Sequence, residues 1–525
     1  MQLTTTDAKC LRTVTCNLIN QLIYKKYEEH LLLLIAAVMS LTATVTAQDF
    51  TVGDFTYSLI KSGYTDEVGG LKIIGYNGGT DVVIPDEVTN PDDSESRKVV
   101  RIDTKIFKGN TTITSVKLSA NIIRIEANTF EGCTSLVMVD TKGCTALKEL
   151  KNRAFQNCTS LISFEFPENV NNIGTMCFDG CSKLNNVTFA GNSWTGSTST
   201  SDQFSNCTSL ESIVLPESVI NLPNSIFKGC TSLSLVKFPS GLEAVGSYAC
   251  ASCSSLKEID LTNTKLATIG AGAFKDASSL ETIKLPTAVT LISGDAFNGT
   301  AVKSVISSDS PVEGGVNIPL VITNLNTSFK NCSKLMNVDL YNSNITTIAN
   351  SAFSGSTAIE TFKFPKNLNL DQYASTSTNS NSPLFYGITA LREVTLPDNP
   401  EVNIPTSLFR GAISLESVVM PEGAKVIPIG NNAFNGCAKF NPDSYITNDL
   451  VSIGNLGLYG TAISKFTYTS SLTTLGSSAL SNCAQLISVD SEEGCTVPAV
   501  EATTFNKCSN LKSIILPHSI KEVKS

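Results

Sequence analysis

Ile226-Phe227-Lys228-Gly229-Cys230-Thr231-Ser232-Leu233 repeats, almost letter for letter, Thr129-Phe130-Glu131-Gly132-Cys133-Thr134-Ser135-Leu136. Looser copies recur along the chain. With the aromatic as anchor, the series runs Phe107, Phe130, Phe155, Phe178, Phe204, Phe227, Cys250, Phe274, Phe297, Phe329, Phe353, Phe385, Phe409, Phe434, Leu458, Leu480 and Phe505. Sixteen intervals separate Phe107 from Phe505, a mean of about 24.9 residues. Six residues after the anchor comes an apolar residue (Leu136, Leu161, Leu184, Leu210, Leu233, Leu256). An alternating stretch follows, as in Leu256-x-x-Ile259-Asp260-Leu261. Period-two alternation marks a short strand with one buried face. Proline often ends it (Pro167, Pro216, Pro239, Pro286), because proline brings no donor to a ladder. A second apolar site lies five residues before the anchor, as at Ile125, Leu150, Ile173, Leu222 and Val245.

One such coil cannot bury its own apolar set, whereas stacked coils bury it between neighbours. A period between about 20 and 29 residues is that of a leucine-rich-repeat solenoid. The expected fold class is therefore α/β: a right-handed solenoid with a continuous parallel β-sheet on the concave face. Short strand, 3₁₀ and loop segments would form the convex face. About 17 coils at a strand spacing of about 4.8 Å give a length of roughly 80 Å. The array is read over residues 99–525 and stops in mid-coil. Residues 48–98 precede it as an N-terminal cap and irregular first coil. There Phe55–Ile60 and Leu71–Tyr76 look like strands, and Val82-Val83-Ile84-Pro85 matches a strand end of the repeat.

Residues 1–47 read as a leader. A nine-residue apolar run, Leu31 to Met39, follows Lys25 and Lys26, and small residues lead to Val45-Thr46-Ala47. This is the pattern of a secretory signal cleaved after Ala47, and the run is too short for a membrane span. Composition narrows function further. A net charge of −9 over 525 residues argues against nucleic acid, which calls for a clustered basic face. The two histidines, His30 and His518, leave little room for His-based triads or zinc sites. Scattered Asp and Glu form no distinguishable pair, so the chain is read as non-enzymatic and without a cofactor or metal.

The Ala-Phe-x-Gly-Cys-x-Ser-Leu phrase, followed by Ile-x-Leu-Pro and then Val-x-x-Ile, resembles the BspA-type leucine-rich-repeat family. The resemblance covers nearly all of residues 50–525. It implies a secreted or surface protein engaged in adhesion or host-protein binding. It transfers no ligand and no catalytic residue, since the motif positions belong to the core.

Of 16 cysteines, ten stand three residues after an anchor, from Cys133 to Cys508. Elsewhere that slot holds Ala277, Thr300, Ser356, Ala412 or Thr461. Small replacements point to a buried space filler, and parallel stacked Cβ directions give poor disulfide geometry. Free buried thiols are the expectation.

Two surfaces are candidates for ligand binding. The residue ten after each anchor should face solvent on the sheet, and Lys237, Asp260 and Lys284 form a run of alternating charge there. Such neighbours also stabilise a stacked sheet. The three longest spacings lack the pre-anchor apolar residue, holding Ser199, Asn324 and Ser380 instead. Insertions in a solenoid form loops on one side. Trp194, the only tryptophan, sits in one, and Tyr373 in another. Each is either an exposed contact residue or a locally packed ring. The expected function is a secreted or cell-surface scaffold binding host or extracellular proteins, with membrane contact only through the signal or an unseen anchor. The alternatives are a self-associating envelope protein, using its C-terminal coil, and a carbohydrate binder stacking sugars on Trp194.

Overall fold

Most coils contribute two short strands, one on either side of the anchor. The structure, a computed structural model, describes residues 49–524 apart from 64, 66, 198, 308–321, 374–383 and 386, together with 25 and 26. The expected signal segment thus lies outside the described residues except for Lys25 and Lys26, and so does Ser380.

The first strand begins eight residues after the anchor, as in Ser115–Lys117, Met138–Asp140, Ser163–Phe166 and Leu235–Lys237. Its second residue points inward: Val116, Val139, Phe164 and Val236 are buried. Successive strands pair in parallel with these residues opposite one another: Val116 with Val139, Ile213 with Val236, Ile259 with Ile283, Val394 with Val418.

The pre-anchor position proves to be more than a peg. It forms a second parallel ladder of two-residue strands, in which Ile125, Leu150 and Ile173 stack, as do Leu222, Val245, Ile269 and Ile292. A third line of bonds runs through the anchor turns, where the amides of most anchors donate to the next coil (Phe107 to Thr129, Phe130 to Ala154, Phe155 to Cys177). Helix is almost absent; two 3₁₀ turns, Leu370–Tyr373 and Asp443–Tyr445, are found among the described residues.

Between the ladders the anchors form an axial stack. Phe107, Phe130, Phe155, Phe178 and Phe204 follow one another at centroid distances of 4.8, 5.0, 5.2 and 5.5 Å, with planes within 11° of parallel. All the anchors before Phe505 are buried, and Phe505 is half-buried. Offset stacking of this kind adds to the burial of the rings themselves. The anchor turn needs a left-handed residue two positions after the ring. Gly132 and Gly229 occupy it with φ of 74° and 75°, a region that glycine enters without steric cost.

Upstream of the array, Phe50–Val52, Phe55–Leu59 and Leu71–Tyr76 make an antiparallel meander. Its last strand runs parallel to Ser96–Ile102 and joins the second ladder. Asp81–Val83 pairs with Ser115–Lys117 and opens the first. A balanced charge cluster fastens this region. Glu67, fully buried, meets Arg101 at 3.2 Å and Arg124 at 3.4 Å, and Arg124 reaches Glu149 at 2.8 Å. Lys151 bonds Glu149 at 2.7 Å. Burial alone would raise the Glu149 carboxyl; Lys151 and Arg124 outweigh it and hold it below the ordinary carboxylate range.

The first ladder is not hydrogen-bonded throughout. Registered pairing stops after Asn186–Phe189, after Leu235–Lys237 and after Ser417–Val419. The last interruption has a plain cause: the next coil carries Pro442 and a 3₁₀ turn, Asp443–Tyr445, where its strand would stand. Asp443 then bonds the Ser464 amide at 2.9 Å and so continues the stack through a side chain.

Candidate functional site

The inserted coils resolve the question of the two aromatic candidates. In neighbouring coils the Asn171 amide donates to the Lys148 carbonyl and the Glu243 amide to the Ile220 carbonyl; here the Ile220 amide donates to Thr195. Thr195 is therefore the structural equal of Lys148 and Ile220. Trp194, one residue earlier, occupies the place of Leu147, Val170, Val219 and Leu242, all buried. The extra residues fall after the indole, between Thr195 and Phe204, so the ring is a core peg. It is 3% exposed and stacks on Phe189 at 5.6 Å. The exposed-contact reading of Trp194, and the sugar-stacking platform built on it, are corrected accordingly.

Tyr373 is corrected in the same sense. It is buried, and its hydroxyl donates to the Ile348 carbonyl at 2.9 Å. In regular coils the equivalent carbonyl takes a backbone amide of the next coil, as Leu150 takes Gly174 and Ile404 takes Gly430. The tyrosine supplies a ladder partner at a coil that is locally irregular, and burial pushes its phenol well above the usual range. Asn324 is not a gap either. Leu325, one position on, is buried and pairs with Ile348, because this coil runs one residue shorter between strand and anchor.

Lys237, Asp260 and Lys284 do not form one continuous chain. Lys284 bonds Glu258 at 2.6 Å and lies 3.7 Å from Asp260. No registered pair joins Leu235–Lys237 to Glu258–Asp260, and Lys237, exposed, makes no ion pair among the described residues. The sheet face beyond it is charged but internally matched. Glu281 binds both Lys303 and Lys334, which hold its carboxyl down at about 2, and Lys363 bonds Asp339 at 2.8 Å. Surface pairs of this kind contribute little to stability, but they leave few unmatched charges for a ligand.

The cysteine slot carries chemistry that composition hid. Each thiol donates to the carbonyl of the preceding coil's anchor: Cys133 to Phe107, Cys158 to Phe130, Cys181 to Phe155, Cys230 to Phe204, at 3.0 to 3.1 Å. Ser356 does the same to Phe329 at 2.7 Å. The slot thus takes a small side chain, most often one that can donate, and 14 free thiols are found among the described residues. Burial pushes the Cys133 and Cys437 thiols up to about 12. A raised thiol is a poor nucleophile and a poor ligand, and among the described residues no three His, Cys, Asp or Glu side chains gather as a metal site.

Toward its N-terminal half the sheet face is different. Val137, Met138, Ile162, Val214 and Leu235 are exposed, at 40 to 60%. Within this stretch, strands Asn186–Phe189 and Ser212–Val214 stand side by side without pairing. A cleft of about 360 Å³ opens between them, lined by both strands and by Leu215 and Pro216. The bond that elsewhere links successive coils at the strand entrance (Ile162 amide to Val137, Asn185 amide to Ile162, Ser234 amide to Glu211) has no counterpart from Glu211 to Asn185. The opening coincides with the coil in which an indole fills a slot made for leucine or valine. This site is invisible to a reading of exposed charges and aromatics, because it consists of missing backbone pairs. The one signal in the sequence is the oversized residue at position 194.

No curated protein matches the chain. Among solved structures, a leucine-rich repeat protein from Bacteroides ovatus is 21% identical, over 89% of this chain and all of its own, with a TM-score of 0.51. A leucine rich cell surface protein from Faecalibacterium prausnitzii is 19% identical, over 89% of this chain and 94% of its own, with a TM-score of 0.37. The profile described as the BspA type leucine rich repeat region matches residues 100–200, 197–313, 315–441, 372–487 and 402–525. Matched along nearly the whole array, and built from stacked coils with a common aromatic and thiol interior, the chain belongs to the BspA-type leucine-rich-repeat family.

Proposed function

We propose that the chain is an exported, non-catalytic scaffold that binds other proteins, host or extracellular, at the cell surface or beyond it. Membership of a repeat family built for extended contact supports the reading, as does the leader expected over residues 1–47. The observation that carries it is the sheet face from Val137 to Leu235, where exposed apolar side chains gather. Exposed apolar side chains rimmed by polar ones are a mark of protein-binding faces. The carbohydrate alternative loses its main support with the burial of Trp194.

The test is solid-phase binding of the chain to a panel of purified extracellular-matrix and mucosal proteins, beside a glycan array. Saturable binding to a protein, weakened by Met138→Asp with Leu235→Asp, is the expected outcome. Binding to glycans alone, or to nothing on either panel, would sink the reading. Particle size that grows with concentration, without any partner, would instead favour self-assembly.

A further inference from the structure

We infer that the cleft between Asn186–Phe189 and Ser212–Val214 is an anchor pocket for a tyrosine or tryptophan side chain of a partner polypeptide. This deepens, and rests on, the protein-binding reading above. Three features of the cleft converge on that ligand.

Size comes first. A cleft of about 360 Å³ lies near the lower end of ligand pockets, which run from about 300 to 1,000 Å³. It suits one large side chain better than a folded element. Lining is the second feature. Val187, Phe189, Ile213, Val214, Leu215 and Pro216 are apolar, Asn186 brings an amide, Thr188 and Ser212 bring hydroxyls, and no Asp, Glu, Lys or Arg takes part. The charged neighbours Glu165 and Lys237 stand one strand away, opposite Thr188 and Val214. An ionic ligand would find no partner inside. The third feature is the backbone. Parallel strands normally consume their edge amides and carbonyls in the ladder, yet here both facing edges lack a registered partner. An aromatic ring bearing one polar atom satisfies apolar walls and an unpaired backbone group at once. Tyrosine O–H and tryptophan N–H are the side-chain groups that do this, which is why they serve as interface anchors.

A sugar fits less well. Phe189 stacks on Phe166 at 4.7 Å and on Trp194 at 5.6 Å, so its faces are occupied and no open aromatic platform remains for a pyranose. The exposed Met138, Ile162 and Leu235 side chains stand on the coils to either side and would form the apolar part of a larger contact.

The experiment is methyl NMR on the full chain labelled at Ile, Leu and Val. The probes are N-acetyl-tyrosinamide and N-acetyl-tryptophanamide, with N-acetyl-leucinamide and methyl glycosides of glucose and galactose as comparisons. Saturable shifts at Ile213, Val214 and Leu215, caused by the aromatic amides and absent with the leucine amide and the glycosides, are expected. Thr188→Trp, an exposed position on the wall, fills the cleft and should weaken these shifts at least about tenfold, with methyls of distant coils unmoved as the sign of an intact fold. Shifts produced equally by leucinamide or a glycoside overturn the pocket, as does the absence of any shift at the three methyls. If the aromatic amides fail while the chain still captures a matrix protein, the pocket falls and the scaffold reading stands. If they bind and no protein does, the scaffold reading falls and the pocket stands.

Discussion

A thiol three residues after the anchor fills space and also donates to the coil behind it. Serine keeps the second role, as Ser356 does toward Phe329, whereas Thr300 and Thr461 donate to their own anchors, Phe297 and Leu458, and alanine only fills the space. The second role sets an order of tolerance at Cys230, whose sulfur lies 3.1 Å from the Phe204 carbonyl. Cys230→Ala loses the donor and leaves a gap, for a cost of about 1–2 kcal/mol. Cys230→Ser keeps a donor, as Ser356 does, and should cost less. Urea midpoints of the two variants rank them, and an alanine variant as stable as the serine variant would remove the carbonyl bond from the account. The neighbouring glycine is constrained more tightly. At Gly229, φ is 75°, and an added Cβ would stand 2.5 Å from the Asn206 Oδ1. Gly229→Ala should therefore cost about 1–2 kcal/mol for its left-handed backbone alone. Both the glycine and the cysteine are legible as motif letters, and the cysteine's small size as a space filler; its hydrogen bond is not. The thiol's partner sits 26 residues earlier, and a donor to a backbone carbonyl leaves no residue pattern of its own.

At the scale of the coil, counting residues back from the anchor misplaces any side chain that lies before an insertion. Trp194 is legible as unusual but reads as a loop residue, because its offset from Phe204 differs from that of Val170 or Val219 to their own anchors. The hydrogen bond from Ile220 to Thr195 fixes the register that spacing could not. The buried indole carries a direct consequence. As the only tryptophan, it should emit as a buried chromophore and resist quenching by iodide, and Trp194→Ala should cost about 3–5 kcal/mol. Emission typical of a solvated indole would reverse the assignment. The charge cluster at the start of the array was equally hidden. Glu67, Arg101, Arg124 and Glu149 are dispersed in the sequence and meet only when coils stack. Arg124→Met leaves buried carboxylates short of a partner, which typically costs about 3–5 kcal/mol. Repeat arrays respond locally, so limited proteolysis should cut the variant first among the N-terminal coils. Cleavage that begins in the C-terminal half would count against a fastening role.

Over the whole molecule the thiols act in concert, and they set an alkaline limit on stability. In the unfolded chain each thiol ionises near its ordinary value of 9.0, whereas burial holds Cys133 and Cys437 up to about 12 and pushes Cys158, Cys207 and Cys230 well above the ordinary value. A group whose folded value is raised gives its full contribution below the unfolded value and loses it as pH climbs toward the folded one. Above pH 9 the unfolded chain therefore binds fewer protons than the native one, and each buried thiol removes up to about 1.4 kcal/mol per pH unit. With eleven thiols raised in the folded chain, even a fraction of that slope rivals the total stability of a typical domain, about 5–15 kcal/mol. Thermal unfolding in reducing buffer should accordingly show a Tm that holds up to pH 8.5, then falls steeply from pH 9 upward. A variant carrying Cys207→Ala with Cys230→Ala should begin lower at pH 8 and fall less steeply, so that the two curves converge as pH rises. Parallel curves would show that the buried thiols are not what titrates, and would leave the raised phenols of Tyr57 and Tyr468 as the groups to remove next.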